Sequence, residues 1–361
     1  MSIYGDTAKR SISRQFDKYF AGVIKMVDVQ SLTEQIRILV NQISVLVIMG
    51  LIGFIAGKTR YLPDNSGSVL SRTVIKLTAP LLIFTTLAGR NFTKDILING
   101  MWIFLLAVVF IMFSFVVGHF AGKILKLEGA TANVFKMHFM FGNVIYLAFP
   151  LLRSLYGDGI LIYAVFYNLA NDAVLWTLGI FLVNRHNKVS VKDNLKHLVN
   201  ANTIAFATGL VIMLIKSNFK GFIDGIPYIY DIGGFIANAF TPIGEATVPL
   251  SMLFIGLILS ETKISSTKDL LKRYPIFVLA LFKLILIPCI ALFVFSFVDF
   301  VEPLVKAVII LQLSMPCATI VPALAEQYGS DYRLATENVF ITTILGIVTM
   351  PFVVYLLTLA G

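Results

Sequence analysis

Phe141-Gly142-Asn143-Val144-Ile145-Tyr146-Leu147-Ala148-Phe149-Pro150 lies in an apolar segment yet is too polar and too broken for a plain lipid-facing helix. Proline removes a helical hydrogen bond and clashes with the preceding turn. The freed carbonyls need partners, so such a break is tolerated in a bilayer only where protein or a water-filled cavity surrounds it. Gln312-Leu313-Ser314-Met315-Pro316-Cys317-Ala318-Thr319-Ile320-Val321-Pro322 reads the same way. Both stretches belong in the interior.

The two breaks are related. Pro150 is followed by Tyr156-Gly157 and Pro322 by Tyr328-Gly329, at identical spacing and 172 residues apart. Upstream, Ala79-Pro80-Leu81 is echoed by Val248-Pro249-Leu250 at an offset of 169. Hydrophobic segments interrupted at corresponding points in two halves point to a transporter built from repeats, with its binding site at the breaks.

Composition sets the class. The 361 residues are 58% hydrophobic and 14% charged, with a mean hydropathy of +0.86. A soluble chain carries about 25% charged residues. This is the composition of an all-α polytopic membrane protein. The net charge of +9 comes from Lys and Arg scattered in loops, which suits topology signals facing anionic lipid and excludes a nucleic-acid stripe. Cys289 and Cys317 fall in apolar segments and read as small hydrophobes rather than a disulfide. The basic stretch before the first apolar run is too long for a signal peptide.

A span needs about 20 mostly apolar residues. Ten segments qualify, near 39–58, 68–88, 97–121, 133–154, 158–183, 202–217, 235–259, 274–298, 303–327 and 333–359. The offset divides them five and five, and an odd number per repeat turns the second copy upside down. The expected organisation is a basic N-terminal extension (1–37), a first five-helix repeat (38–184), a short linker (185–201) and a second, inverted repeat (202–361). In the extension, Ile12, Phe16, Tyr19, Phe20, Val23, Ile24 and Val27 recur at helical spacing, the pattern of an interface-lying amphipathic helix.

Fifteen Lys and Arg lie in the loops of one face and six in those of the other. The richer face should be cytoplasmic, which puts the linker inside and both termini outside. The six basic residues of the extension would raise the poorer face to twelve and pull the other way.

No enzyme motif is present: no phosphate loop, HExxH, Cys/His cluster or GxSxG elbow. The dispersed His119, His138, His186 and His197 read as interfacial or loop residues, so neither a metal nor a cofactor is expected. Ionisable residues inside spans are functional candidates by default. Lys76 and Glu245 stand four residues before Pro80 and Pro249, at equivalent places in the two halves, and are expected to form a structural ion pair or to serve transport. Asp172, with Asn168 and Asn171, either braces the broken fourth segment or couples a proton or sodium ion. Lys283 either snorkels along its stem or pairs with a substrate carboxylate. Glu337, close to the end of the last span, can reach water. Asn143, together with the backbone around Tyr146, Ala148, Met315 and Thr319, is the expected anion site. Half-helix N-termini there would offer unpaired N–H groups and partial positive charge.

Taken together, Asn143 with Pro150 and Tyr156-Gly157 resembles the auxin efflux carrier family. So do Pro249-Leu250-Ser251 with Gly256, Lys283 with Pro288, and Pro322…Tyr328-Gly329…Asp331…Pro351. The likeness runs from about residue 39 to the C-terminus and covers both plant PIN carriers and bacterial proteins described as malonate or malate permeases. It implies that segments four and nine cross as broken helices. It also implies a scaffold of spans 1, 2, 6 and 7 and a transport domain of 3–5 and 8–10 that shifts like an elevator. The short linker fits a bacterial member. Ala148 stands where family members commonly have glycine, span six lacks its expected proline in Asn200-Ala201-Asn202, and the basic extension is atypical.

The leading expectation is a secondary active transporter of a small organic anion, a mono- or dicarboxylate, in the plasma membrane. Its partners would be the anion, the lipid bilayer and a coupling H+ or Na+, with a homodimer open as the assembly. A sodium-coupled symporter of the bile-acid-transporter type is the near rival; a passive channel and a membrane-embedded enzyme are the more distant ones.

Overall fold

A computed structural model describes residues 29–63, 65–184, 198–218, 227–261 and 274–360. The expected amphipathic extension and most of the linker lie outside the described residues. Within them the chain is helical, with a single isolated β-bridge. We number the helices α1 (Val29–Lys58), α2 (Ser66–Ala88), α3 (Lys94–Ile124), α4 (Gly129–Met140), α5 (Val144–Tyr156), α6 (Asp158–Val183) and α7 (Ala201–Asn218). The remainder are α8 (Pro227–Glu245), α9 (Thr247–Glu261), α10 (Tyr274–Phe295), α11 (Pro303–Leu313), α12 (Ile320–Gln327) and α13 (Tyr332–Ala360).

Seven described helical stretches are long and apolar enough to cross a membrane, namely α2, α3, α6, α7, Asn238–Ser260, α10 and Tyr332–Leu359. Shorter apolar helices cover Ser44–Lys58, α5 and α11. The fourth and ninth sequence segments are each split into two helices, α4/α5 and α11/α12, at the polar runs that contain Asn143 and Pro316.

Proline shapes the other helices. Wide π-helical turns occupy Val74–Thr78, Val144–Ala148 and Phe282–Leu286, and each ends two residues before a proline: Pro80, Pro150 and Pro288. Proline offers no N–H to the carbonyl four residues back. The preceding turn widens so that the next available N–H reaches one residue further, as Ala79 N–H does to Val74 O and Ile287 N–H to Phe282 O. A fourth such turn, Leu175–Gly179, follows Asp172 without a proline. Lys76, Tyr146, Ala148 and Lys283 all sit inside these turns.

Two groups of helices pack most closely among themselves, and they meet where α1 touches α5 and α13, α9 touches α5, and α2 touches α6. Helix α1 lies on α9, and α2 lies against α7 and α8. A Cβ placed on Gly256 would strike Gly50 O, one on Gly53 would strike Leu253 O, and one on Gly57 would strike Ser260 Oγ. Small residues on both helices let the backbones approach closely, which is how helices associate in lipid without a hydrophobic driving force. In the other group, α3 packs on α4, α6 and α11, while α13 touches α4, α10, α11 and α12. Its core is filled by fully buried Phe135, Phe139, Phe141 and Phe149.

Candidate substrate and ion site

The two breaks meet. Asn143 N–H donates to Pro316 O at 2.8 Å, and Ala318 N–H to Phe141 O at 3.2 Å, which makes Gly142 and Cys317 an antiparallel bridge. Backbone groups that proline and the breaks leave without helical partners are thereby paired with one another inside the protein. The close approach favours glycine: a Cβ on Gly142 would lie 3.1 Å from Met315 Cβ and 3.3 Å from Gln312 O, tight enough that these neighbours would have to give way. Helix α13 backs the second break, with Gly346 against Pro316.

Asn143 is the N-cap of α5, its Oδ1 accepting from Tyr146 N–H at 3.2 Å. This cap satisfies one orphan donor of the helix start. The Asn143 Nδ2 is buried and has no partner. Asn143 lines a cavity of about 570 Å3 together with parts of α2, α5, α6, the start of α7 and the start of α12. Tyr146, Thr319, Asn168, Asn171, Asp172 and Lys76 also line it. The Tyr146 hydroxyl lies 3.0 Å from Ser71 Oγ, and its ring packs on Phe254 at a centroid distance of 4.7 Å, tying α5 to α2 and α9.

Asn168, Asn171 and Asp172 share one face of α6 through their i, i+3, i+4 spacing. The side-chain amides of Asn168, Asn171 and Asn202 surround the half-buried Asp172 carboxylate. Asn202 is held at the start of α7 by Asn200, whose Oδ1 accepts the N–H groups of Asn202 and Thr203 at 2.9 and 3.0 Å. The sequence reading missed Asn202. A cluster of asparagines bordering apolar spans was the available signal.

Several expected site residues lie elsewhere. Ala148 is fully buried on the core side of the π turn, and fully buried Met315 packs against Gly142; neither lines the cavity. Lys283 neither snorkels nor faces the cavity. Its side chain is 1% exposed and Nζ donates to Phe139 O at 3.0 Å. Phe139 is in the last turn of α4, whose carbonyls lack helical partners and carry partial negative charge. Lys283 is thus a cap for α4. Lys216 does the same at Ala88 O, the end of α2, and Lys306 at Phe295 O, the end of α10.

The Lys76–Glu245 pair does not form. Glu245 accepts from Arg153 at 3.0 Å, and Arg153 also holds Asp158 at 2.6 Å. The reason is register: Gly244 packs on Leu82, six residues beyond Lys76 and about 9 Å further along α2. His138 is no loop residue but is completely buried at the end of α4. Glu337 is nearly buried and pairs with Arg333 at 3.2 Å. Both cysteines are free, and among the described residues no three His, Cys, Asp or Glu side chains group as a metal site.

Residues 38–193 and 185–354 match the family described as membrane transport protein, that of the auxin efflux carriers. The chain belongs to this family. Curated relatives include an uncharacterized transporter of Methanocaldococcus jannaschii, 27% identical over 83% of this chain and 92% of its own length. An uncharacterized transporter of Methanothermobacter thermautotrophicus is 26% identical over 86% of this chain and 95% of its own length. The protein PIN-LIKES 2 of Arabidopsis thaliana is 25% identical over 47% of this chain and 37% of its own. Membership of the auxin efflux carrier family makes this a multi-pass membrane protein of a transport family, and the relatives carry transporter names rather than enzyme names.

Proposed function

We propose that the protein is a secondary active transporter of a small organic anion and that the anion's carboxylate binds at the meeting of the two breaks. The observation that carries this reading is the Asn143 amide: its Oδ1 is used as a cap, while Nδ2 has no partner at the edge of the cavity. A buried donor without a partner costs about 1–3 kcal/mol. A carboxylate would satisfy it. The starts of α5 and α12 border the same cavity, and helix N-termini favour negative charge. Lys76 on the cavity wall adds a positive charge.

The proposal includes ten spans in two inverted five-helix repeats, residues 38–184 and 202–361, joined by a cytoplasmic linker at 185–201, with both termini outside in the plasma membrane. It also includes elevator-like movement of α3–α6 and α10–α13 against α1, α2 and α7–α9. The division follows the packing, in which α1 lies on α9 and α2 on α7 and α8, while α3 lies on α4, α6 and α11; the two groups meet through apolar contacts such as Tyr146–Phe254 and Phe166–Phe206 and through the polar pairs Tyr146–Ser71 and Arg153–Glu245. Coupling to H+ or Na+ through Asp172, with Asn168 and Asn171, is part of the same reading.

Uptake of radiolabelled mono- and dicarboxylates into proteoliposomes, preceded by a thermal-shift screen of the same acids, tests the reading. Saturable uptake that stops when the ion gradient is collapsed is expected. Flux that is linear in concentration and indifferent to gradients would identify a channel instead.

A further inference from the structure

The amides around Asp172 carry a second unsatisfied set. The Oδ1 atoms of Asn168, Asn171 and Asn202 are each buried without a hydrogen-bond partner, in residues that are 2%, 5% and 8% exposed. Three amides around one carboxylate on one cavity wall, each with an unpaired oxygen, can supply a donor set of hard oxygens, the kind that suits hard cations. We propose that Asp172, Asn168, Asn171 and Asn202 form a sodium site.

The charge fits a monovalent ion. One carboxylate neutralises one positive charge, whereas calcium sites usually combine several carboxylates. A neutral ion–carboxylate pair also avoids leaving an isolated charge at membrane depth, which costs at least about 2.5–3.5 kcal/mol. The field strength and number of the coordinating oxygens set alkali-ion preference, and a carboxylate is a strong-field ligand that favours sodium over potassium. Each amide can turn about its terminal torsion to present N–H to the bare carboxylate or Oδ1 to an ion.

The ligands come from two places. Asn168, Asn171 and Asp172 belong to α6, and Asn202 belongs to α7, so the ion clips one helix to the other. In the transport reading, on which this inference rests for the use made of the ion, α6 travels and α7 stays. Ion occupancy therefore controls whether the two can part. It also controls the substrate. Asp172 and Lys76 are the charged side chains described on the cavity wall. An unloaded Asp172 repels a carboxylate and draws Lys76 toward itself. A loaded one leaves Lys76 and Asn143 to the anion, so sodium and substrate should bind cooperatively, each raising the other's affinity by the same factor.

The test is equilibrium binding of 22Na+ to the purified full-length protein in detergent, without substrate, with Na+, Li+ and K+ as competitors. Saturable binding displaced by Na+ far better than by K+ is expected. Asn202→Ala should weaken it about tenfold or more, and Asp172→Asn should abolish it, with the melting temperature in sodium-free buffer reporting that the variants fold. Asn202→Gln, which keeps the amide, covers the case in which the alanine variant fails to fold, and should bind with altered affinity. Absence of saturable binding, equal displacement by K+, or wild-type binding in folded Asn202 variants would overturn the site. A pH-dependent uptake indifferent to sodium would do the same while leaving the transporter standing. Sodium binding without uptake of any carboxylate would keep the site and remove the proposed substrate.

Discussion

Asn143 N–H donates to Pro316 O across 2.8 Å, so the chain's two breaks satisfy each other's backbone. Neither half of the crossing can be displaced without exposing the other's polar groups to an apolar interior, where each unsatisfied group costs several kcal/mol. The crossing is therefore a rigid unit. Whatever moves in this protein moves around it or carries it whole.

Gly142 is the position most sensitive to this. A valine there would press its branches on Met315 and the Gln312 carbonyl, and Gln312 O already accepts from Met315 N–H. Overpacking of this kind costs about 1–3 kcal/mol. Gly142→Val should lower the melting temperature and raise sensitivity to protease. An unchanged melting curve would mean that the two breaks can separate freely.

Asn143 has two functions that a substitution can separate. Asn143→Asp keeps an oxygen for Tyr146 N–H but replaces the Nδ2 donor with a second acceptor. The fold should persist, because the cap is retained. Affinity for a carboxylate substrate should fall by about tenfold to a hundredfold or more, since a hydrogen bond to a charged group is worth about 1.5–3 kcal/mol and each 1.4 kcal/mol is a factor of ten. Isothermal titration with the acid found in the screen measures it; wild-type affinity would remove Asn143 from the site.

Lys283→Met tests the cap on α4. The variant loses the bond to Phe139 O and leaves that carbonyl buried without this donor. Stability should fall by about 1–3 kcal/mol, while the folded fraction binds substrate with unchanged affinity. A large affinity loss in a protein that melts normally would return Lys283 to the binding site.

The sequence revealed the two breaks because their cause is local: polar residues and proline inside apolar runs. It also led to Asn143, Tyr146, Thr319 and Asp172, which line one cavity. It did not reveal which way neighbouring side chains face. Around a break the helical period is lost, so nothing in the spacing separates Ala148 and Met315, which face the core, from Thr319, which does not. Pairings between helices were equally hidden. Glu245 meets Arg153 rather than Lys76 because the close seat of Gly244 on Leu82 sets the register, and that contact lies between helices distant in sequence. Asn202 was passed over because its partners lie on another helix.

The Arg153–Glu245 pair joins α5 to α8 and is partly exposed, at 26% and 49% for the two side chains. Solvent screens such a pair, so its removal should change stability by less than about 1 kcal/mol. Its effect should appear in rates. Glu245→Gln loosens a tie between the two packing groups, and uptake turnover should change while the melting temperature stays nearly constant. Equal turnover in the variant would show that the pair breaks at no cost during the cycle.

Pro80 offers the most direct test of what the π turns do. Proline leaves the Lys76 carbonyl without its usual partner, and the Val74–Thr78 turn widens around it. A π turn accommodates one extra residue, and one residue of α-helix is about 100° of rotation. Pro80→Ala restores the N–H, so the turn can close into regular α-helix, which would swing Lys76 by about that angle away from the cavity. Alanine is favoured over proline in a helix interior by about 3 kcal/mol, offset in part by the greater freedom of the unfolded chain. The variant should melt no lower than the wild type and yet bind a carboxylate less tightly. Reduced affinity with undiminished stability would separate the two roles of the proline. Wild-type affinity would mean that packing around α2, and not Pro80, holds Lys76 toward the cavity.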